Sequence, residues 1–280
     1  MKSFMKVWLG IALMAIGFGI VLVIIAFATS GFHKVEPTSS LHQSLDGVKS
    51  IDMDIDYRAV KVVTGDKFEI TADNVAKSEI ESYIKDDTWY IKENKKEQVN
   101  IFGWKFPVNR IFDWDNSNTI EITIPKGFVA DNIQVSIKAG ELDAEELIAG
   151  TSDIDVQSGR LYVKNLIVKD SSRYHVGAGE IRIDQIKAKN IDMSCEVGNV
   201  NVSGDITGDN VIKNKVGNVD FKLDGKESDY SYDVSCEVGN VTVGDSNYHN
   251  INNKIINQKD AKNNIKLGCG VGKINVKFNQ

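Results

Sequence analysis

The side chains of this chain best suited to chemistry are three cysteines at 195, 236 and 269, four histidines at 33, 42, 175 and 249, and the run Asp52, Asp54, Asp56. A zinc site needs Cys or His ligands in closely spaced pairs, and neither a CxxC nor a Cys/His pairing occurs. The GxSxG, HExxH and P-loop patterns are also missing. Alternating aspartates on a strand share one outward face. That arrangement either holds calcium through oxygen ligands or deters edge pairing by like charge. The nonapeptide calcium repeat is not present, which favours the second role. An enzyme would need acid and base groups converging on one face, and no outward set of Asp with Arg or Lys is evident. The expectation is a non-enzyme, with no catalytic residue, cofactor or metal.

The positions of the cysteines lead to the elements that hold them. SCEVGNV occurs twice, at 194–200 and 235–241. Weaker copies place a glycine at 140, 159, 179, 198, 217, 239 and 272, in steps of 19, 20, 19, 19, 22 and 33. Apolar residues sit three and one before the glycine (Val156 and Ser158, Val176 and Ala178, Cys195 and Val197, Cys236 and Val238). They sit again two and four after it (Leu161 and Val163, Ile181 and Ile183, Val200 and Val202, Val219 and Phe221). Each half alternates with the period of a strand, and the parity slips at the glycine. The chain therefore turns a corner there, which glycine permits by accepting positive φ. A second short strand (Leu166, Val168) and a third (Ile191, Met193, Cys195) complete a unit. The expected fold is all-β: a β-solenoid, or β-helix-like, stack of about 19-residue coils with parallel neighbours. The competing β-sandwich has no use for an in-register glycine.

In a sequential stack Cys195 and Cys236 lie two coils apart, roughly 9.6 Å, too far for a disulfide. Cys236 and Cys269 become neighbours if the 33-residue step is one coil plus a loop. All three point inward and serve as small buried hydrophobes.

Val7 to Thr29 carries no charge. As a helix its 23 residues span about 34 Å, enough to cross a bilayer core of about 30 Å. Ala26-Phe27-Ala28 resembles a cleavage site, but the run is longer than a signal's apolar region. Lys2 and Lys6 precede it, which places residues 1–6 in the cytoplasm and the rest outside. The organisation expected is a transmembrane helix at 7–29, a polar stalk at 30–48 and an extracytoplasmic solenoid at 49–280. The localisation is then the cell membrane, single-pass. With 33 basic and 39 acidic residues, a nucleic-acid partner is disfavoured.

Residues 97–118 interrupt the pattern. Phe102, Trp104, Phe106, Arg110, Phe112 and Trp114 crowd this span. Phe102, Trp104 and Phe106 alternate, as on one face of an extended strand. This segment either caps the open end of the solenoid or contacts a partner, for which aromatic and Arg side chains are suited.

IDMDIDYRAVKVVTGDKFEITA at 51–72, ITIPKG at 122–127, the serial G-x-[LIV]-x-[LIV] strands and the ending GKINVKF resemble the bacterial putative-adhesin family of DUF4097 type over about residues 49–280. The resemblance implies a β-solenoid-like fold, an N-terminal membrane helix in many members, and a place for some in cell-envelope stress. It implies no catalytic residue. The expected function is a non-enzymatic, membrane-anchored surface module that binds a protein or glycan partner. The alternative is an enzyme acting on cell-wall or matrix polysaccharide.

Overall fold

A computed structural model of the chain describes residues 38–76, 78–94, 98–101, 104–107, 119–256 and 261–279. The expected membrane helix lies outside these residues; among those described, no helix is long and apolar enough to cross a membrane. The chain divides into two units, one of residues 1–37 and 96–113, the other of 38–95 and 114–280.

Among the described residues of the larger unit the regular elements are all strands apart from one 3-10 turn at Glu227–Asp229. Its strands are β1 (Thr38–Leu45), β2 (Ser50–Ile55), β3 (Ala59–Gly65), β4 (Phe68–Ala76), β5 (Ile80–Lys85) and β6 (Thr88–Glu93), then β9 (Thr119–Pro125) through β15. Of the latter, β10 (Ala130–Lys189) winds through three coils; β11 (Ile191–Thr207), β12 (Asp209–Asp224), β13 (Tyr230–Val243) and β15 (Asn263–Asn279) each turn one glycine corner. β14 (Ser246–Ile256) is the one antiparallel strand among β10–β15. The expected stalk thus gives way to strand at Thr38.

Neighbouring coils pair parallel and in register. Gly179 lies opposite Gly198 and Gly198 opposite Gly217, and Val200 stacks on Val219 as the repeat requires. Outward side chains bond across coils: Asn218 Nδ2 donates to Asn199 Oδ1, directly opposite, at 3.2 Å, and Asn201 Nδ2 to Glu180 Oε1, one rung diagonal, at 3.0 Å. Inward residues form the core, with Leu161, Ile181, Val200, Val219, Ile274 and Val241 all buried.

The corner explains the glycine. Gly198 has φ +144°, and a Cβ there would lie 1.7 Å from the carbonyl oxygen of Gly179. From Gly159 onward every corner glycine has φ between +131° and +148° and the same approach of 1.6–1.8 Å to the glycine of the next coil. No side chain fits in that gap.

The stack departs from chain order at one end. β15 lies between β12 and β13, with Gly272 opposite both Gly217 and Gly239. The two SCEVGNV copies are therefore three coils apart rather than two. The 33-residue step holds β14, which runs antiparallel on the outer side of β13 before the chain returns. Cys236 and Cys269 are direct neighbours, as expected for a coil plus a loop.

At the other end β6 pairs parallel with β2, and β9 parallel with β3. Together they make one further coil beside β2 and β3. β4 and β1 extend the β9 side antiparallel, and β5 extends the β6 side. Phe68, Trp89 and Phe128 pack edge to face at this end, with centroids 6.1 and 4.8 Å apart. The side of the coil that holds Leu147, Leu166, Ile186 and Ile206, its third, stops short of the opposite end, where Tyr230 and Tyr232 pack beside Phe278 at 5.7 and 6.3 Å.

In the smaller unit the described residues form a hairpin of β7 (Gln98–Ile101) and β8 (Trp104–Pro107), with Val99 opposite Phe106. Phe102, Arg110, Phe112 and Trp114 lie outside the described residues.

The corner gap makes a specific demand. Gly198→Ala should destabilise the chain by about 4 kcal/mol or more, because the clash is with backbone. Gly127→Ala, at φ +72° with nothing within 4 Å, should cost only about 1–2 kcal/mol. Urea midpoints of the two variants test this; equal midpoints would contradict a corner closed to side chains.

Candidate interaction surfaces

The corner has an outside, an inside and a closed end. On the outside stands the residue just before each glycine. Val197, Val216, Val271 and Val238 are 55, 45, 49 and 58% exposed, and they stack in register in that order. The expectation that this position points inward is overturned, for Ser158 and Ala178 as well. The chain begins its turn before the glycine, so the strand parity that buries Cys195 and Met193 does not carry on to Val197. These four make up most of the seven large apolar side chains exposed among the described residues, and Tyr57, at the same place in the β2–β3 coil, is a fifth. The result is a convex apolar ridge along one edge of the stack.

Inside the corner, the residue three before the glycine reaches back to the preceding coil's glycine carbonyl. The thiols of Cys195, Cys269 and Cys236 donate to Gly179 O, Gly217 O and Gly272 O at 4.0, 3.7 and 3.8 Å. Asn214 Nδ2 donates to Gly198 O at 3.0 Å in the same way. The cysteines are buried as expected, but as weak donors to a carbonyl that the corner turns inward. Burial pushes the Cys195 thiol up to about 11, with the Glu196 charge adding to it.

The glycine column ends at Gly140, beneath Arg58, whose carbonyl a Cβ on Gly140 would meet at 2.4 Å. Arg58 is 3% exposed. Its Nη2 lies 3.0 Å from Glu79 Oε2 and its Nε 3.2 Å from Glu93 Oε1. Glu93 Oε2 in turn accepts from the backbone N–H of Asp56 and Tyr57, both at 2.9 Å. Asp56 is buried and ion-paired with Lys138. It therefore leaves the outward row expected for Asp52, Asp54 and Asp56, because β2 ends at Ile55 and the corner turns Asp56 in. The described residues contain no group of three or more His, Cys, Asp or Glu able to hold a metal. Arg58, Glu79 and Glu93 are 21 and 14 residues apart in sequence, and no motif links them.

The third side runs through only four coils, ending in the Gly204–Thr207 stretch of β11. The step left beyond it is a cleft of about 810 Å³ lined by Asn165, Lys187, Asp205, Asp224, Asp229 and Lys262 among others. Several acidic groups here and along the adjoining corner hold structure. Asp229 Oδ2 accepts the Lys226 N–H at 2.9 Å, Asp224 Oδ1 accepts Asn279 Nδ2 at 3.3 Å and Glu146 Oε2 accepts Asn165 Nδ2 at 2.9 Å. Asp184, close by, accepts the Tyr162 hydroxyl at 2.7 Å and Arg182 Nε at 3.0 Å. Sequence reading found no outward set of Asp with Lys because these residues come together only through the turn at 224–229.

The Toastrack DUF4097 family model matches residues 48–211. The chain belongs to this family. The match covers the coils stacked in chain order and stops at the start of β12, where β15 intervenes. A putative cell adhesion protein from Clostridium sporogenes ATCC 15579 is similar at 15% identity over 87% of this chain and 100% of its own, with a TM-score of 0.35. A putative adhesin from Bacteroides fragilis NCTC 9343 is similar at 15% identity over 88% and 100%, with a TM-score of 0.32. One from Parabacteroides distasonis ATCC 8503 is similar at 16% identity over 88% and 98%, with a TM-score of 0.30. No curated protein matches the chain.

Two variants probe the charges of this Toastrack domain. Arg58→Met leaves Glu79 and Glu93 buried without their cation and should cost about 3–5 kcal/mol, read as a lower urea midpoint; an unchanged midpoint would show the cluster to be solvated. For Asp184, burial would raise the carboxyl, but the hydrogen bonds from Tyr162 and Arg182 and the positive charge of Arg182 outweigh it and hold the group below its ordinary value. A carboxyl lowered on folding stabilises the native state fully above its unfolded value of about 3.9 and loses that contribution as pH falls through the lowered value. Asp184→Asn should therefore flatten the fall in melting temperature below about pH 4; an identical acid profile would remove Asp184 from the account.

Proposed function

We propose that this Toastrack protein is a non-enzymatic binding module of the cell surface, with Val7–Thr29 as its single membrane span, residues 1–6 cytoplasmic and the strands outside. The observation that supports a binding role is the valine ridge. An apolar line on a convex edge can bury surface against a partner, but it offers nothing to acid–base or nucleophilic chemistry. The segment between β6 and β9, with Phe102, Trp104, Phe106, Arg110, Phe112 and Trp114, is a second proposed contact, for which its aromatic and Arg side chains are suited. A protein or glycan partner and a part in envelope stress are consistent with this placement.

The cleft beyond the third side is the one feature that favours the other reading, polysaccharide cleavage, since it gathers Asp205, Asp224 and Asp229 with two lysines. Against it, Asp224 and Asp229 already accept hydrogen bonds from their own loop and from β15.

The full chain on beads, applied to intact cells and to a glycan array, tests the proposal. Val197→Ser with Val216→Ser should lower binding at least tenfold at unchanged melting temperature. Unchanged binding, or release of new reducing ends from polysaccharide, would overturn it. Trp104→Ala with Trp114→Ala separates contact from capping. Lost binding at unchanged stability supports contact, whereas a lower melting temperature at unchanged binding supports capping.

A further inference from the structure

We propose that Cys236 and Cys269 form a reversible disulfide that fastens the C-terminal strand into the slot it occupies. β15 lies between β12 and β13, although β13 precedes it in the chain. Nothing covalent holds it there except the return from β14. Cys236 on β13 and Cys269 on β15 are directly opposite in the parallel register. Both side chains point into the core, at 0 and 4% exposure, and both thiols are free in this structure.

The geometry suits a bond that can be made and broken. Adjacent strands place the two Cα atoms about 4.8 Å apart, inside the window of about 4.4–6.8 Å that disulfides occupy. Side chains that leave parallel strands on one face start with β-carbons at about the same separation. They must draw together by a few tenths of an ångström to reach the upper limit of about 4.5 Å. That small distortion belongs to disulfides that are readily reduced. Cys195 is excluded: its neighbour toward the slot is Asn214, and Cys269 stands beyond that.

The oxidant is a small-molecule or protein disulfide, RSSR. One thiolate attacks it, giving a mixed disulfide and one RSH after protonation. The second thiolate then displaces the other R group as thiolate. Two cysteine thiols are oxidised to one disulfide and one RSSR is reduced to two RSH. Burial, with the Cys236 thiol alongside, pushes the Cys269 thiol up. The buried pair is thus unreactive once folded, and the exchange belongs to the stage before β15 enters its slot or to its withdrawal. An extracytoplasmic location would supply such oxidants, but the inference rests on the coil order and not on that placement.

The test is thiol counting on the full chain refolded in a mixture of oxidised and reduced glutathione, with native strand content checked by circular dichroism. The count in denaturant should fall from three to one, peptide mapping should link Cys236 to Cys269, and dithiothreitol should reverse both. Cys195→Ala should still form the bond and leave no thiol. The oxidised form should unfold at higher urea than the reduced form. Three free thiols in a natively folded chain, or a link through Cys195, would overturn the proposal. The same count on chain isolated without refolding, after incubation with oxidised glutathione in mild urea, decides the matter where refolding yields no native protein.

Discussion

At each glycine corner the carbonyl of one coil occupies the space where the next coil would place a β-carbon, and the rest of the fold is arranged around that approach. With a gap of 1.6–1.8 Å, the backbone must run through every corner at the same height and angle. Coils can then only stack in register. Register fixes which side chains meet, so the inward columns of valine, leucine and isoleucine and the outward rungs of Asn, Asp and Lys follow from the corner. The same approach leaves a glycine carbonyl pointing inward. In the later coils that acceptor is met by Cys195, Asn214, Cys269 and Cys236. A thiol serves here because it packs as an apolar group while still offering a donor.

A stack built this way has two ends, and they are closed by different means. At the first, the glycine column gives way to Arg58, and the corner amides that would face another coil are taken by Glu93. The charges satisfy the backbone and one another, at the desolvation cost of a buried ion cluster. At the second, the chain closes by changing order: β13 is laid down with β14 against its outer edge, and β15 fills the gap beneath. The bulged antiparallel pairing of β13 and β14 breaks the ladder that a further parallel strand would need. The order costs contact locality, since β12 must wait for a strand 55 residues later.

The parts of this architecture that depend on period were legible in the sequence. A glycine every nineteen or so residues with two-residue alternation on either side can satisfy little other than parallel coils, and the Val200–Val219 stack follows from it. What depends on pairing across long distances was not legible. EVGNV, KVGNV and GVGKI are equivalent as partners in register, so nothing local tells Gly217 that its neighbour is Gly272 and not Gly239. The VGDSN turn after Val241 was a hairpin signal that could have separated β13 from the next parallel strand. The ridge was misread for another reason. Valine suits both faces of a strand, and residue type alone does not say whether the turn begins before or after the glycine. Arg58 occupies a glycine position without a glycine, and its partners come from β6 and from the β4–β5 turn, with no pattern to tie them.

The position before the glycine carries the proposed binding role, because the corner does not dictate it. The inward positions are fixed by the core and the glycine by the backbone gap, but the residue between them stands on the convex outside. In the β10 coils that place is held by Ala139, Ser158 and Ala178, so small residues satisfy the turn. In the four coils that follow it is valine each time, spaced at the strand repeat and half exposed. Solvent gives no return for that apolar surface, and the fold of the earlier coils shows that it is not needed for the turn. A line of identical branched side chains on a rigid edge becomes favourable only when something apolar covers it. Because the backbone beneath is held by register, little ordering entropy would be lost when that happens. The same corner geometry that forbids a side chain at the glycine therefore presents the residue before it as a rigid apolar surface.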